Sequence, residues 1–336
     1  MKKRYVTQLL HIGDIDDEDL MIILEGVCPR TAQFRRTEVE YRTKADEVVL
    51  TLIYRQGQIA EATAGPALTP ALEAQLATAI EAELQPRAER MIRRSILFCD
   101  RPVTGFWRYH DDFQLVPVPA NAPRPREIHA QHPLMLDVTV EPSDNWAITQ
   151  QRTLRRTYDI ALVLSLALRP VVSIPGVRAR KHWVLIPLDD SRLSFEPRWC
   201  QEGYFPEGIE PVTDALPETV GLDPIPQTPA AEYFGARYME YPDIVSVPLE
   251  LADIFDIVET LAGSEHDRFL RACYWQYTAN VMWDYSHSLY LTSLINSVEC
   301  LATVGPERKS PDGVANQFKA FLRQYGPGTP SGTRIN

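Results

Sequence analysis

"SEHDRFLRACYWQYTANVMW", residues 264–283, reads as a helix, because Leu270, Cys273, Tyr274, Tyr277 and Val281 recur at helical spacing and give it one apolar face. Ser264 is a candidate cap for this helix. Gly263 before it suits the C′ position of a preceding helix written in "LELADIFDIVETLAG", residues 249–263. Downstream, a third helix is predicted from near Ser286, with Leu291, Leu294, Ile295, Val298, Leu301 and Ala302 as its stripe. A shorter fourth, "VANQFKAFLRQY" at 314–325, precedes closing turns. Helices in series with short connections predict a bundle.

Upstream of this region the composition changes. Residues 201–248 are dense in proline and acid with a single basic residue, Arg237, which predicts a linker or a long surface excursion. Before that, "DNWAITQQRTLRRTYDIALVLSLALRP" at 144–170 reads as a long helix whose second half, from Ile160, is apolar nearly all round and therefore buried. Thr69 and Pro70 begin another helix, striped by Leu72, Leu76, Ile80 and Leu84. Pro86 ends or kinks it, and "RAERMIRRSILF" at 87–98 is read as a resumed helix. "VEYRTKADEVVLTLIYRQG" at 39–57 alternates as a strand pair turning near Lys44-Ala45-Asp46. Residues 117–133 are proline-rich and read as irregular chain. The expected class is α+β: a mixed domain over 1–200, an acidic stretch over 201–248 and an incomplete α-helical bundle over 249–336.

The formal net charge of −11 excludes a surface that coats nucleic acid without discrimination, since neutralising phosphates needs excess Lys and Arg. Cys28, Cys99, Cys200, Cys273 and Cys300 are scattered, with no CxxC pair, and read as buried thiols in a reducing compartment. No apolar run suits a signal peptide or a membrane span; "IALVLSLAL" at 160–168 is too short. A cytoplasmic protein without membrane partners is expected.

Motifs for P-loop, dinucleotide, α/β-hydrolase and zincin chemistry are missing from the sequence. "HDD" at 110–112 and "HAQH" at 129–132 offer His110, Asp111, His129 and His132 as a metal or proton-transfer cluster if they meet within about 5 Å. A solvated surface is the simpler reading, so neither a metal nor a cofactor is expected. One RxxxxH match, Arg124 to His129, lies among prolines that prevent a helix from aligning the pair, and is read as a decoy. Asp284, His287 and His266 read as turn and capping residues. The basic runs at 87–94, 152–156 and 178–182 are either an RNA surface or solvated faces.

The stretch "RFLRACYWQYTANVMWDYSHSLYLTSLINSVECLA" resembles the Apea-like branch of the HEPN superfamily, closing in a "saiEaL"-like Ser297-Val298-Glu299-Cys300-Leu301. The likeness continues in "NQFKAFLRQYGPG" at 316–328 and is confined to the sequence from Arg268 onward. It implies a helical bundle, a homodimer through the C-terminal helices, and metal-independent RNA cleavage in bacterial antiphage defence. An RxxxxH motif would carry that chemistry, His moving protons and Arg stabilising phosphate charge. In the family this motif follows the "yaPg" turn, so the resemblance places it after Asn336, and the chain as written is expected to be inactive. Glu299 is then a signature residue that orients the catalytic pair, or a boundary carboxylate paired with a neighbour. Lys319, Arg323 and Arg334 are the RNA contacts it suggests. The rival expectation is a non-catalytic binding and dimerisation module with an N-terminal recognition domain.

Overall fold

A computed structural model describes residues 4–7, 10–12, 14–28, 30–34, 37–55, 58–85, 87, 89–118, 132–168, 172–173, 215–235, 243–261, 263–283 and 285–302. The chain is α+β and forms two compact units, one from residues 1–91 with 140–155, the other from 92–139 with 156–336.

The first unit opens with α1 (Asp17–Val27), whose start is fixed by the Asp16 carboxylate accepting the Glu18 N–H at 3.0 Å. An antiparallel meander follows: β1 (Arg30–Phe34), β2 (Glu38–Arg42), β3 (Val48–Arg55) and β4 (Gln58–Ala64). The β2–β3 turn falls where the alternation placed it, with Asp46 at a φ of 68°, a left-handed conformation that aspartate tolerates. Next, α2 (Pro70–Leu84) begins as expected: the Thr69 hydroxyl accepts the Leu72 N–H, and Pro70 occupies the first turn. Leu20, Leu24, Leu50, Leu52, Leu76 and Ile80 join in one core between the helices and the meander.

The second unit is built on a five-stranded sheet of order β6-β7-β8-β5-β9, from β5 (Met91–Cys99), β6 (Trp107–Tyr109), β7 (Phe113–Pro117), β8 (His132–Val140) and β9 (Val172–Ser173). The helix expected over 87–98 is instead β5. Its two middle arginines hid the alternation, and Arg94 is stable there because its guanidinium grips the wholly buried Asp137 of β8 at 2.5 and 2.8 Å. The Gln114 amide donates to the same carboxylate at 2.9 Å, and Arg108 donates to the Gln114 carbonyl at 2.7 Å. One polar row therefore crosses β6, β7, β8 and β5. Strand β8 also occupies the end of the stretch read as irregular.

The long helix α3 (Trp146–Ala167) gives its first turns to the first unit and the remainder to the second, where its apolar half is buried as expected. Beyond it come β10 (Gln227–Thr228), α4 (Ala230–Gly235), β11 (Val247–Pro248), α5 (Leu251–Thr260), α6 (Ser264–Met282) and α7 (His287–Ala302). The two short strands β10 and β11 pair in parallel.

The described part of the acidic, proline-rich stretch is packed. Ile225, Tyr233, Val245 and Val247 are buried, Pro224 bridges Phe106, and the Pro217 carbonyl accepts from Arg108 at 2.6 Å. A few apolar anchors and backbone hydrogen bonds outweigh a composition that suggested a linker. Gly105 permits the approach, since a β-carbon there would lie 2.5 Å from the Asp223 carbonyl oxygen. The units thus join residues 92–139 with 249–302 and do not follow the boundary expected at 201–248.

Candidate functional site

Helices α6 and α7 pack along their lengths as a hairpin. On α6, Cys273 and Tyr277 meet Leu162 of α3, with Tyr158 and Phe269 alongside. A second face, carrying Ala272 and Ala279, is also buried, and the Ser297 hydroxyl of α7 donates to the Ala272 carbonyl at 2.8 Å. Ser293 and Ser297 are the buried polar groups of α7, whereas Leu291 and Ile295 of the expected stripe are exposed. The packed face of α7 is therefore rotated from the predicted one. Small residues let helix backbones come close, and periodicity of large apolar groups does not register them. Tyr274 and Val281 of α6 are likewise on the outside. Ser264 is the first helical residue, with Gly263 at the cap position and a φ of 51°.

Glu299 is exposed near the end of α7. Its neighbour Cys300 has its thiol pushed up, chiefly by burial, with the Arg271 cation opposing and Glu299 adding to the rise. Glu299 and Arg271 thus act on one thiol from two helices. Lys319, Arg323 and Arg334 lie outside the described residues, as do Arg124, His129, Asp284, Cys200 and the basic run 178–182.

A second constellation joins the β6–β7 turn to α5. His110 sits at a φ of 46° at the first corner of the turn closed by the Asp112 N–H and the Tyr109 carbonyl, a conformation usually left to glycine. Its Nε2 lies 3.3 Å from Asp256 Oδ1, and the Tyr109 hydroxyl donates to the same oxygen at 2.9 Å. Burial raises the Tyr109 phenol, and its bond to Asp256 raises it further. Beneath lies an aromatic cluster in which Trp107, Tyr109 and Phe113 meet Phe255 of α5. In the same turn Asp112 pairs with Arg156, which also reaches Glu259 at 2.8 Å. The arrangement orients a surface imidazole by a carboxylate.

The metal or proton-transfer cluster expected around His110, Asp111, His129 and His132 does not assemble as such. His110 and His132 flank opposite ends of the β7–β8 ladder, in which Phe113 faces Val138 and Pro117 faces Leu134, so at roughly 3.3 Å per residue they stand well over 10 Å apart. No group of three metal-binding side chains occurs among the described residues. His132 is held below its usual range by burial, partly offset by Asp100. His287 and His266 are in first helical turns, as expected.

Several arginines of two of the basic runs are paired with carboxylates of the fold. In the first unit Arg152 binds Asp19 and Glu83 at 2.8 and 2.9 Å, Arg155 pairs with Asp16, and Arg87 reaches Asp144 at 3.1 Å. In the second, Arg94 and Arg156 have the partners already named. These cations hold carboxylates of the fold, which neither a solvated face nor an RNA surface anticipates for the paired residues. Asp256 and Tyr109 gave no sequence signal, and Arg156 stood out only as part of a basic run, because their partners are remote in the chain. No helix of the described residues is long and apolar enough to cross a membrane. Comparisons with protein-family models, curated proteins and solved structures find no match to this chain.

Proposed function

We propose that this chain is an RNA-targeting protein of the Apea-like HEPN type, working as an effector in bacterial antiphage defence. The observation that supports the reading is the α6–α7 hairpin, which ends in the Ser297-Val298-Glu299-Cys300-Leu301 signature with Ser297 turned inward and Glu299 turned outward. An exposed carboxylate at the end of α7 can orient a catalytic Arg or His without itself transferring a proton. The test is RNA cleavage, without added divalent metal, by the complete reading frame that contains this chain. Cleavage is expected, and Glu299→Gln should lower it at least about tenfold. Intact RNA at excess protein overturns the reading.

A second reading, a non-catalytic module that dimerises through its C-terminal helices, is favoured by the outward Leu291 and Ile295 of α7. Light scattering together with the RNA cleavage assay separates the two, since a dimer that leaves RNA uncut supports the module.

A further inference from the structure

At its β6 edge the five-stranded sheet carries a strap of chain, residues 217–225. The Phe106 N–H donates to the Asp223 carbonyl at 3.0 Å, and the Ile225 N–H donates to the Phe106 carbonyl at 2.8 Å. Pro224 is the parallel partner of Phe106, a position whose own N–H the pairing does not use, so proline fits there. Leu222 packs on Val116 and Met135, and Ile225 is buried. Glu218, Val220, Gly221, Asp223 and Pro224 stay exposed. A segment fixed by so few anchors lies at the low end of the free-energy range for local opening.

Where the strap begins, Arg108 has uncommon partners. Its guanidinium donates to the Gln114 carbonyl at 2.7 and 3.0 Å and to the Pro217 carbonyl at 2.6 Å, and both acceptors are neutral. Arg94, Arg152, Arg155 and Arg156 each hold a carboxylate, the group that a planar guanidinium matches best. Along the polar row, Arg94 and Arg108 set two cations against the single carboxylate of Asp137, which leaves one positive charge. The Pro217 carbonyl thus stands where an anionic oxygen would bind more strongly.

We propose that the strap is the chain's own stand-in for a partner protein: an acidic, extended, proline-bearing segment that takes its place, pairing with Phe106 through its backbone and offering a carboxylate to Arg108. The mode is addition of a strand to a sheet edge. The strap shows which backbone fits, since a β-carbon at position 105 would lie 2.5 Å from the Asp223 carbonyl oxygen. Arg108 shows which charge is lacking. While the strap is in place, it excludes the partner. This edge is distinct from the α7 residues that support the RNA reading.

The test is fluorescence anisotropy of the whole chain with a labelled, amidated peptide that copies residues 222–226 and ends in glutamate. A peptide with its acids replaced by Asn and Gln, and an oligouridylate, are the comparisons. The parent is expected to bind the acidic peptide weakly, because the tethered strap competes at an effective concentration on the order of millimolar. Ile225→Ser, which removes the strap's buried anchor, should tighten that binding at least about tenfold. Adding Gly105→Ala should cancel the gain, since the new β-carbon meets the backbone of any segment laid along Phe106. Adding Arg108→Gln instead should weaken the acidic peptide about fivefold and leave the neutral one unchanged. No gain in Ile225→Ser overturns the proposal. So does a gain that survives Gly105→Ala, which would mean binding elsewhere, or equal binding of the acidic and neutral peptides. A gain confined to oligouridylate overturns it as well, making Arg108 a phosphate contact. If circular dichroism shows Ile225→Ser misfolded, Leu222→Ser replaces it; if Gly105→Ala misfolds, the Arg108→Gln comparison decides alone.

Discussion

The second half of α3 and the whole of α7 are written in nearly the same aliphatic-and-serine alphabet, yet they meet different surroundings. Ala161, Leu162, Val163 and Leu164 are buried in succession, enclosed by the sheet through Ser95 and Thr157 and by α6 through Cys273 and Tyr277. Helix α7 turns Ser293 and Ser297 inward and leaves Leu289, Leu291 and Ile295 in the open. Hydrophobicity shows that a helix can be covered. Its neighbours decide on how many sides.

That contrast can be broken most forcefully in α3. Leu164→Ala, at a side chain with no exposure, should cost about 3 kcal/mol in chemical denaturation, because removed methyl groups leave a cavity that dense packing cannot close. A cost under about 1 kcal/mol would show α3 to be less enclosed than described. On α7 the inward face is held more lightly. Ser297→Ala loses the bond to the Ala272 carbonyl and should cost about 1 kcal/mol, read by the same denaturation.

The thiols sharpen the comparison. Burial pushes Cys99 and Cys273 up to about 12 and Cys28 up to about 11. The folded state keeps these protons where the unfolded chain releases them. Their contribution to stability is therefore complete below the ordinary thiol value of about 8.5 and is lost as pH rises through the folded values. Denaturation midpoints should fall between pH 9 and 12, and Cys→Ser variants at these positions should flatten the decline. Among the described cysteines, a maleimide should label the half-buried Cys300 of α7 first. The smallest effect belongs to α7's outward face: Leu291→Ser and Ile295→Ser should each change stability by no more than about 0.5 kcal/mol. A larger loss would mean that this face is covered.

Local rules made much of the fold legible. The Thr69–Pro70 start, the Asp46 turn and the apolar half of α3 each depend on residues adjacent in the chain, and each appears where it was expected. What failed depends on remote partners. Two arginines in β5 read as a helix surface because Asp137, which neutralises Arg94, is on another strand. The acidic stretch read as a linker or a long surface excursion, and its packing did not show because Phe106 and Pro102, which accept its backbone N–H groups, lie far upstream. At the candidate site, His110 stood out in "HDD", but Asp256 and Tyr109, which orient and crowd it, did not. On α7, the packed face is marked by serine, a residue that hydrophobic periodicity passes over.

The close approach at Gly105 has a bearing on how this chain can change over generations. The segment beside it can exchange side chains at exposed positions such as Val220, because it is bound through backbone hydrogen bonds and a few buried anchors such as Ile225. Position 105 has no such latitude: one added carbon would meet the backbone of Asp223, Pro224 and Ile225 at once. A substitution at position 105 would therefore force the segment's backbone away from β6, whereas one at Val220 would not.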